Sequence, residues 1–352
     1  MKINIRKAVA FDGTGKITVI EEAIPKPKAG QVQIKVEASL ISPGTELNSV
    51  VMARKKATDA GPQVFGYSNA GVVTACGAGC KNLPVGTRVA CMGGDGNSGA
   101  QHATHACIPF NMAVPIPDGL DFPEATFACL AATSLHAMRR AKIELGEFVG
   151  VVGLGLIGQL AAQWSRLGGC HVMGIDRLPM RLEKAVQCGL ECAVNGSGED
   201  PLKISETFTR GYGLDTGVIA FGGDGTPALE LLYKMLKTAP DTHKYGSIVM
   251  VGGATITHQF AAALGNVDVL SAARTGPGYH DKAWESGADY PSVFVPWTTR
   301  RNLETSVRFM AADSLKVRPL ITHEVSIDEA PEACERLIAT PNEALGVVFR
   351  MT

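Results

Sequence analysis

Apolar and polar positions alternate in short runs through roughly the first 120 residues. Residues 7–11, 17–21, 32–38, 71–75 and 88–91 are short, mostly apolar runs, and glycine and proline clusters separate them. That pattern belongs to short strands joined by tight turns and predicts an all-β first part. Pro25 and Pro27 mark an early linker, and Pro109, Pro115 and Pro117 a later one. After Asp121 the rhythm changes. Residues 123–140 read as a helix, and then strands at 148–152, 171–175, 193–195, 216–221 and 247–252 alternate with helices from Leu156, near 181–187, from Pro201 and from Pro227. Such alternation predicts a parallel sheet with helices on both faces. From about Arg301 the tail carries a helix, a strand at 320–325, a helix from Asp328 and a last strand at 345–350.

Composition narrows the class. A chain of 352 residues has room for two domains with separate cores. Its 45% hydrophobic and 19% charged residues are those of a soluble globular enzyme. Lys plus Arg number 33 against 34 Asp plus Glu, so there is no electrostatic footprint for nucleic acid or an anionic membrane. The alternating residues 1–22 lack the long apolar run of a leader or a membrane span. Nine scattered cysteines, an odd number, suit reduced thiols in a cytoplasm better than a disulfide framework.

One motif carries chemistry directly. Gly153-Leu154-Gly155-Leu156-Ile157-Gly158 follows an apolar strand and opens a helix. The first glycine permits the turn, Gly155 lets a pyrophosphate approach the backbone, and Gly158 lets helix and strand pack. The helix start then offers free N–H groups to phosphate. The next strand ends in Asp176, where an acid would bind the ribose diol and repel a 2′-phosphate. NAD is therefore expected over NADP, although the adjacent Arg177 pulls the other way, and Arg181 is read as a further cofactor contact. Phe221-Gly222 and Val251-Gly252-Gly253 end two later strands, where such sheets bind their ligands. The fold class is α/β, with a Rossmann doubly wound parallel sheet beside a β-rich domain.

The order of these parts resembles the medium-chain dehydrogenase/reductase superfamily, typified by the zinc alcohol dehydrogenases, over nearly the whole chain. The resemblance implies a GroES-like catalytic domain at residues 1–125 and 300–352, a Rossmann NAD-binding domain at 126–299, and a homodimer or homotetramer acting on a small molecule. Zinc members hold their ion with a Cys, a His and a third ligand. Pro43 of Pro43-Gly44-Thr45-Glu46 stands where the Cys would be, Tyr67 of Gly66-Tyr67-Ser68 where the His would be, and Cys129 matches the third ligand after a small shift. One thiolate cannot replace three protein ligands. The four-cysteine structural zinc lobe is also missing after Cys91. No metal is expected, although Cys91, His102, His105 and Cys107 lie close in sequence. Ser42–Glu46 with Gly66-Tyr67-Ser68, and the stretches around Arg274–Tyr279, Gly287–Pro291 and Trp297–Asn302, are similar to a zinc-lacking branch. That branch contains bacteriochlorophyllide-modifying, sugar and cyclitol dehydrogenases.

Without zinc, something else must stabilise charge on a carbonyl oxygen. Tyr67 can serve as a donor, or it can be a packing residue. Thr45 matches the family's relay hydroxyl. Glu46 is expected to pair with a basic residue such as one in the tail. His102 reads as an acid–base or a substrate contact. Tyr279, Tyr290, Trp297 and Arg300 suit a polyhydroxylated or carboxylated substrate. The leading expectation is an NAD-dependent polyol dehydrogenase. A quinone or enoyl reductase, and a non-catalytic NAD sensor, stand as alternatives.

Overall fold

The computed structural model describes residues 5–95, 98–258 and 261–351. The chain divides into two compact units: Met1–Cys129 with Gly276–Asp313 and Ile321–Thr352, and Leu130–Thr275 with Ser314–Leu320.

The first unit is organised by one long strand, Gln31–Leu40, whose alternate residues Val32, Ile34, Val36 and Ala38 are buried. Period-two burial is what a strand with one covered face requires. It pairs antiparallel with Ser68–Cys76, with His105–Pro109 along its first half and with Gly346–Arg350 at its end. Arg88–Met92 and Ala113–Pro115 widen the sheet on one side, and Ile321–Ser326 closes it on the other, parallel to Gly346–Arg350. The tail returns because its last strand is an apolar run: Val347, Val348 and Phe349 are all buried. The expected strands are present, but this part is not all-β. A helix, Asn48–Lys55, follows the turn Pro43–Leu47. It buries only Val50, so it leaves almost no apolar period for sequence reading to detect.

The second unit carries six parallel strands: β1 (Phe148–Val152), β2 (His171–Asp176), β3 (Cys192–Asn195), β4 (Thr216–Ile219), β5 (Tyr245–Val251) and β6 (Asn266–Ala272). Their order is β3-β2-β1-β4-β5-β6. The strand order reverses between β1 and β4, and the crevice at such a switch point is where a doubly wound sheet binds ligand. Met173, Val194, Leu214, Ile219, Leu232 and Ile248 form its core. β6 was not among the expected strands. It lies at the sheet edge, where Val267 and Val269 alternate with Asn266 and Asp268, a strand pattern the sequence reading passed over.

Two boundaries differ from expectation. The predicted helix at 123–140 is two helices, Phe122–Ala125 and Ala128–Ala141. At the break Thr126 Oγ1 donates to Pro123 O (2.6 Å) and Thr126 O accepts from Ser68 Oγ (2.6 Å). The return to the first unit falls at Gly276, not at residue 300. Trp284, 1% exposed, anchors the segment there, and Asn111 Nδ2 donates to Trp284 O (2.5 Å) and Ala288 O (2.9 Å).

Candidate functional site

In the second unit β1 runs into Gly153, whose φ of +92° only glycine adopts without strain. A Cβ on residue 158 would lie 1.8 Å from Gly153 O, so the helix Leu156–Leu167 can pack this close only with glycine there. Gly155 is different: a Cβ on it would meet nothing within 4 Å. It opens onto empty space at a helix start that no side chain caps. An uncapped start keeps its N–H groups for a ligand, so the loop fits a dinucleotide pyrophosphate. Leu156 is buried beneath it, and Ile157 O accepts from Ser134 Oγ (3.0 Å). Phe221 packs against Gly153, and a Cβ on Gly222 or Gly253 would meet no atom closer than 3.8 Å. Gly252 has φ +109° and follows Val251, and Gly223 N–H donates to Gly253 O (3.2 Å), which joins the ends of β4 and β5. Asp176 is 8% exposed. Its Oδ2 accepts from Leu154 N (2.7 Å) and lies 3.6 Å from the Arg181 guanidinium, and its Oδ1 accepts from Leu178 N (2.9 Å). Arg177 is exposed.

In the first unit the turn Pro43–Leu47 and the segment 65–67 meet around Tyr67. Burial, and then the Glu46 carboxylate and the Cys129 thiol, push the phenol well above its ordinary value, while hydrogen bonding with Ser42 and Thr45 pulls the other way. The phenol therefore stays protonated near neutral pH. Thr45 is exposed on the turn. Gly66, with φ +119°, lets the segment 65–67 pack on the chain at Gln101 and His102: a Cβ on it would lie 2.4 Å from His102 N.

His102 does not occupy the role expected of it. Its ring is 0% exposed, with Nδ1 2.8 Å from Ser39 Oγ and Nε2 3.2 Å from Glu46 Oε1. The Phe65 and Phe349 rings stand edge-on at 5.3 and 5.1 Å. A side chain so enclosed cannot touch substrate. The Nε2–Oε1 approach is close but poorly aligned for a hydrogen bond, since neither atom meets hydrogen-bond geometry. Glu46 is likewise paired with His102 rather than with a tail residue, and its Oε2 accepts from Ser42 N (2.6 Å). Ser39, Phe65 and Phe349 escaped sequence reading because a lone small hydroxyl or aromatic carries no motif.

The expected substrate residues belong to Gly276–Asp313 and are mostly engaged within it. Tyr290 Oη donates to Asp281 Oδ2 (2.7 Å), a bond that pushes the phenol up to about 12, and its ring stacks on Trp284. Arg300 donates to Asn111 Oδ1 (3.0 Å) and to Glu304 Oε1 (3.0 Å), and it lies over the Phe110 ring. Trp297 carries the Arg301 guanidinium 4.0 Å above its ring and stays 37% exposed. The Tyr279 ring lies against His280.

A catalytic zinc does not suit this donor set. Pro43 offers no donor atom, the Tyr67 phenol is held protonated, Glu46 has Oε2 on Ser42 N and Oε1 against the His102 ring, and Cys129 is a single thiol. Among the described residues no three His, Cys, Asp or Glu side chains are grouped to hold a metal. Cys91 and Cys107 are buried, and Cys107 Sγ donates to Pro25 O (3.3 Å).

Comparison with known proteins agrees with this architecture. Residues 28–120 match the alcohol dehydrogenase GroES-like domain. Sorbitol dehydrogenase of Bacillus subtilis is 24% identical over 97% of this chain and 96% of its own length. D-xylulose reductase of Saccharomyces cerevisiae is 25% identical over 95% and 94%. Galactitol-1-phosphate dehydrogenase from Escherichia coli superposes with a TM-score of 0.78 at 20% identity, over 98% of this chain and 99% of that one. Residues 28–120 thus carry the alcohol dehydrogenase GroES-like domain, and over nearly its whole length the chain is similar to polyol dehydrogenases of the medium-chain dehydrogenase/reductase superfamily.

Proposed function

We propose that this protein is an NAD-dependent oxidoreductase that works without zinc. It moves a hydride between nicotinamide and a secondary alcohol, or the corresponding ketone, of a sugar, cyclitol or related polyol. The observation that carries the reading is the glycine loop, where Gly155 opens onto empty space at an uncapped helix start with Asp176 alongside. Relatives named sorbitol dehydrogenase and D-xylulose reductase support a CH–OH substrate. The Asp176 carboxylate favours the ribose diol of NAD over a 2′-phosphate.

A bound nicotinamide supplies the hydride acceptor or donor. Tyr67, protonated at neutral pH, donates a hydrogen bond to the substrate's carbonyl oxygen during reduction. In oxidation the alcohol proton passes to Tyr67 Oη as the phenol's own proton moves to Thr45, whose exposed hydroxyl hands one on to water. Such donors typically contribute about 10²–10⁴-fold. His102 and Glu46 hold this arrangement from behind.

The test is NAD⁺ reduction, followed by absorbance, over a panel of sugars, cyclitols, simple alcohols and quinones, with protein treated with chelator and analysed for metal. Turnover of a polyol by metal-free protein is expected. Activity that disappears with bound metal, or turnover of quinones alone, would defeat the reading. A homodimer or homotetramer is proposed with it, to be checked by light-scattering mass.

A further inference from the structure

Gln159, 1% exposed, sits in the first turn of the helix Leu156–Leu167. Its amide nitrogen donates twice: to Leu154 O (3.2 Å) inside the glycine loop, and to Arg181 O (2.7 Å) in the helix Pro179–Gln187 that follows β2. Asp176 makes a second link between the same two segments. It accepts from Leu154 N through Oδ2 (2.7 Å) and from Leu178 N through Oδ1 (2.9 Å). Both backbone polar groups of Leu154 are thus held by side chains. Leu154 lies between two glycines, the part of the loop with the most conformational freedom to lose.

We propose that Gln159 and Asp176 form a brace that holds the glycine loop in its phosphate-binding shape before the cofactor arrives. Gln159 is then a positioning residue for the dinucleotide, and Asp176 serves the loop as well as the ribose. The proposal rests on the dinucleotide reading above. Its consequence is that the substitution expected to relax cofactor choice, Asp176→Ala, damages the phosphate site too. A brace of this kind raises affinity by removing freedom that binding would otherwise remove.

The test uses calorimetric titration of the full chain with ADP and with 2′,3′-dideoxy-ADP, which has no diol for Asp176 to contact. Gln159→Met keeps the side chain's length and removes both donors. It is expected to weaken both probes by about tenfold, the size of a lost pair of buried hydrogen bonds. Asp176→Ala is expected to weaken dideoxy-ADP several-fold and ADP more. Unchanged dideoxy-ADP affinity in either variant overturns the brace. If the wild-type protein binds neither probe, the dinucleotide reading itself falls, and the brace with it. A check that needs no variant is hydrogen exchange in the ligand-free wild type: a slowly exchanging Leu154 amide supports the brace, and exchange at the rate of an open loop overturns it.

Discussion

Tyr67 and His102 entered as two candidates for one role, and their surroundings separate them. The phenol meets the hydroxyls of Ser42 and Thr45, with Thr45 exposed, whereas the imidazole is sealed between Phe65 and Phe349. Tyr67→Phe should therefore lower turnover at least about tenfold while leaving the melting curve near wild type. A variant with full activity would make Tyr67 a packing residue only. Because burial and Glu46 both hold the phenol above its ordinary value, turnover should show no loss from phenol ionisation through roughly pH 10. His102→Leu should act on stability instead. It leaves Ser39 Oγ buried without its partner, a cost of about 1–3 kcal/mol measurable by denaturant titration. The thiols separate in the same way. Cys76 is exposed, whereas burial raises Cys91, Cys107, Cys170, Cys188 and Cys334. A thiol reagent at neutral pH should find one fast cysteine in the native protein, and Cys76→Ser should remove it.

The glycine loop is the element whose shape was legible in the sequence, because each glycine answers a separate steric demand. Two substitutions distinguish those demands. Gly155→Ala has open space and an ordinary φ of −66°, so the protein should fold normally and lose NAD affinity as the methyl takes the pyrophosphate's place. Gly158→Ala places a methyl against Gly153 O and should lower the melting temperature as well. Near-wild-type NAD binding by Gly155→Ala in calorimetry would remove the loop from the cofactor site. The helix Asn48–Lys55 shows the opposite case. It is short and buries one side chain, and Arg54 ties it to Gly15 O and to Glu335, so tertiary contacts rather than its own pattern support it.

For the whole molecule, the two-part plan followed from the change of rhythm near Asp121, but the boundary at Gly276 did not. Residues 276–313 look like a continuation of the second part until Trp284, Asn111 and Arg300 are seen packed together in the first. Asn111→Ala removes partners from Trp284 O, Ala288 O and Arg300 at once. It should loosen this segment, seen as faster hydrogen exchange across 276–313 with little change in β1–β6. Equal exchange in both proteins would mean that the segment is held by its apolar contacts alone.

Local chemistry written along the chain determined the strands, the alternation of β and α, and the glycine loop with Asp176 at the end of the next strand. Each depends on neighbours a few residues away or on a side chain's own donor atoms. Tertiary structure alone decided that Glu46 meets His102, that Gln159 spans Leu154 and Arg181, and that Arg300 is spent on Asn111. Those pairs lie 56, 22 and 189 residues apart at their widest. No period or motif ties these particular pairs, and only the packing of the elements that carry them brings their polar groups close together.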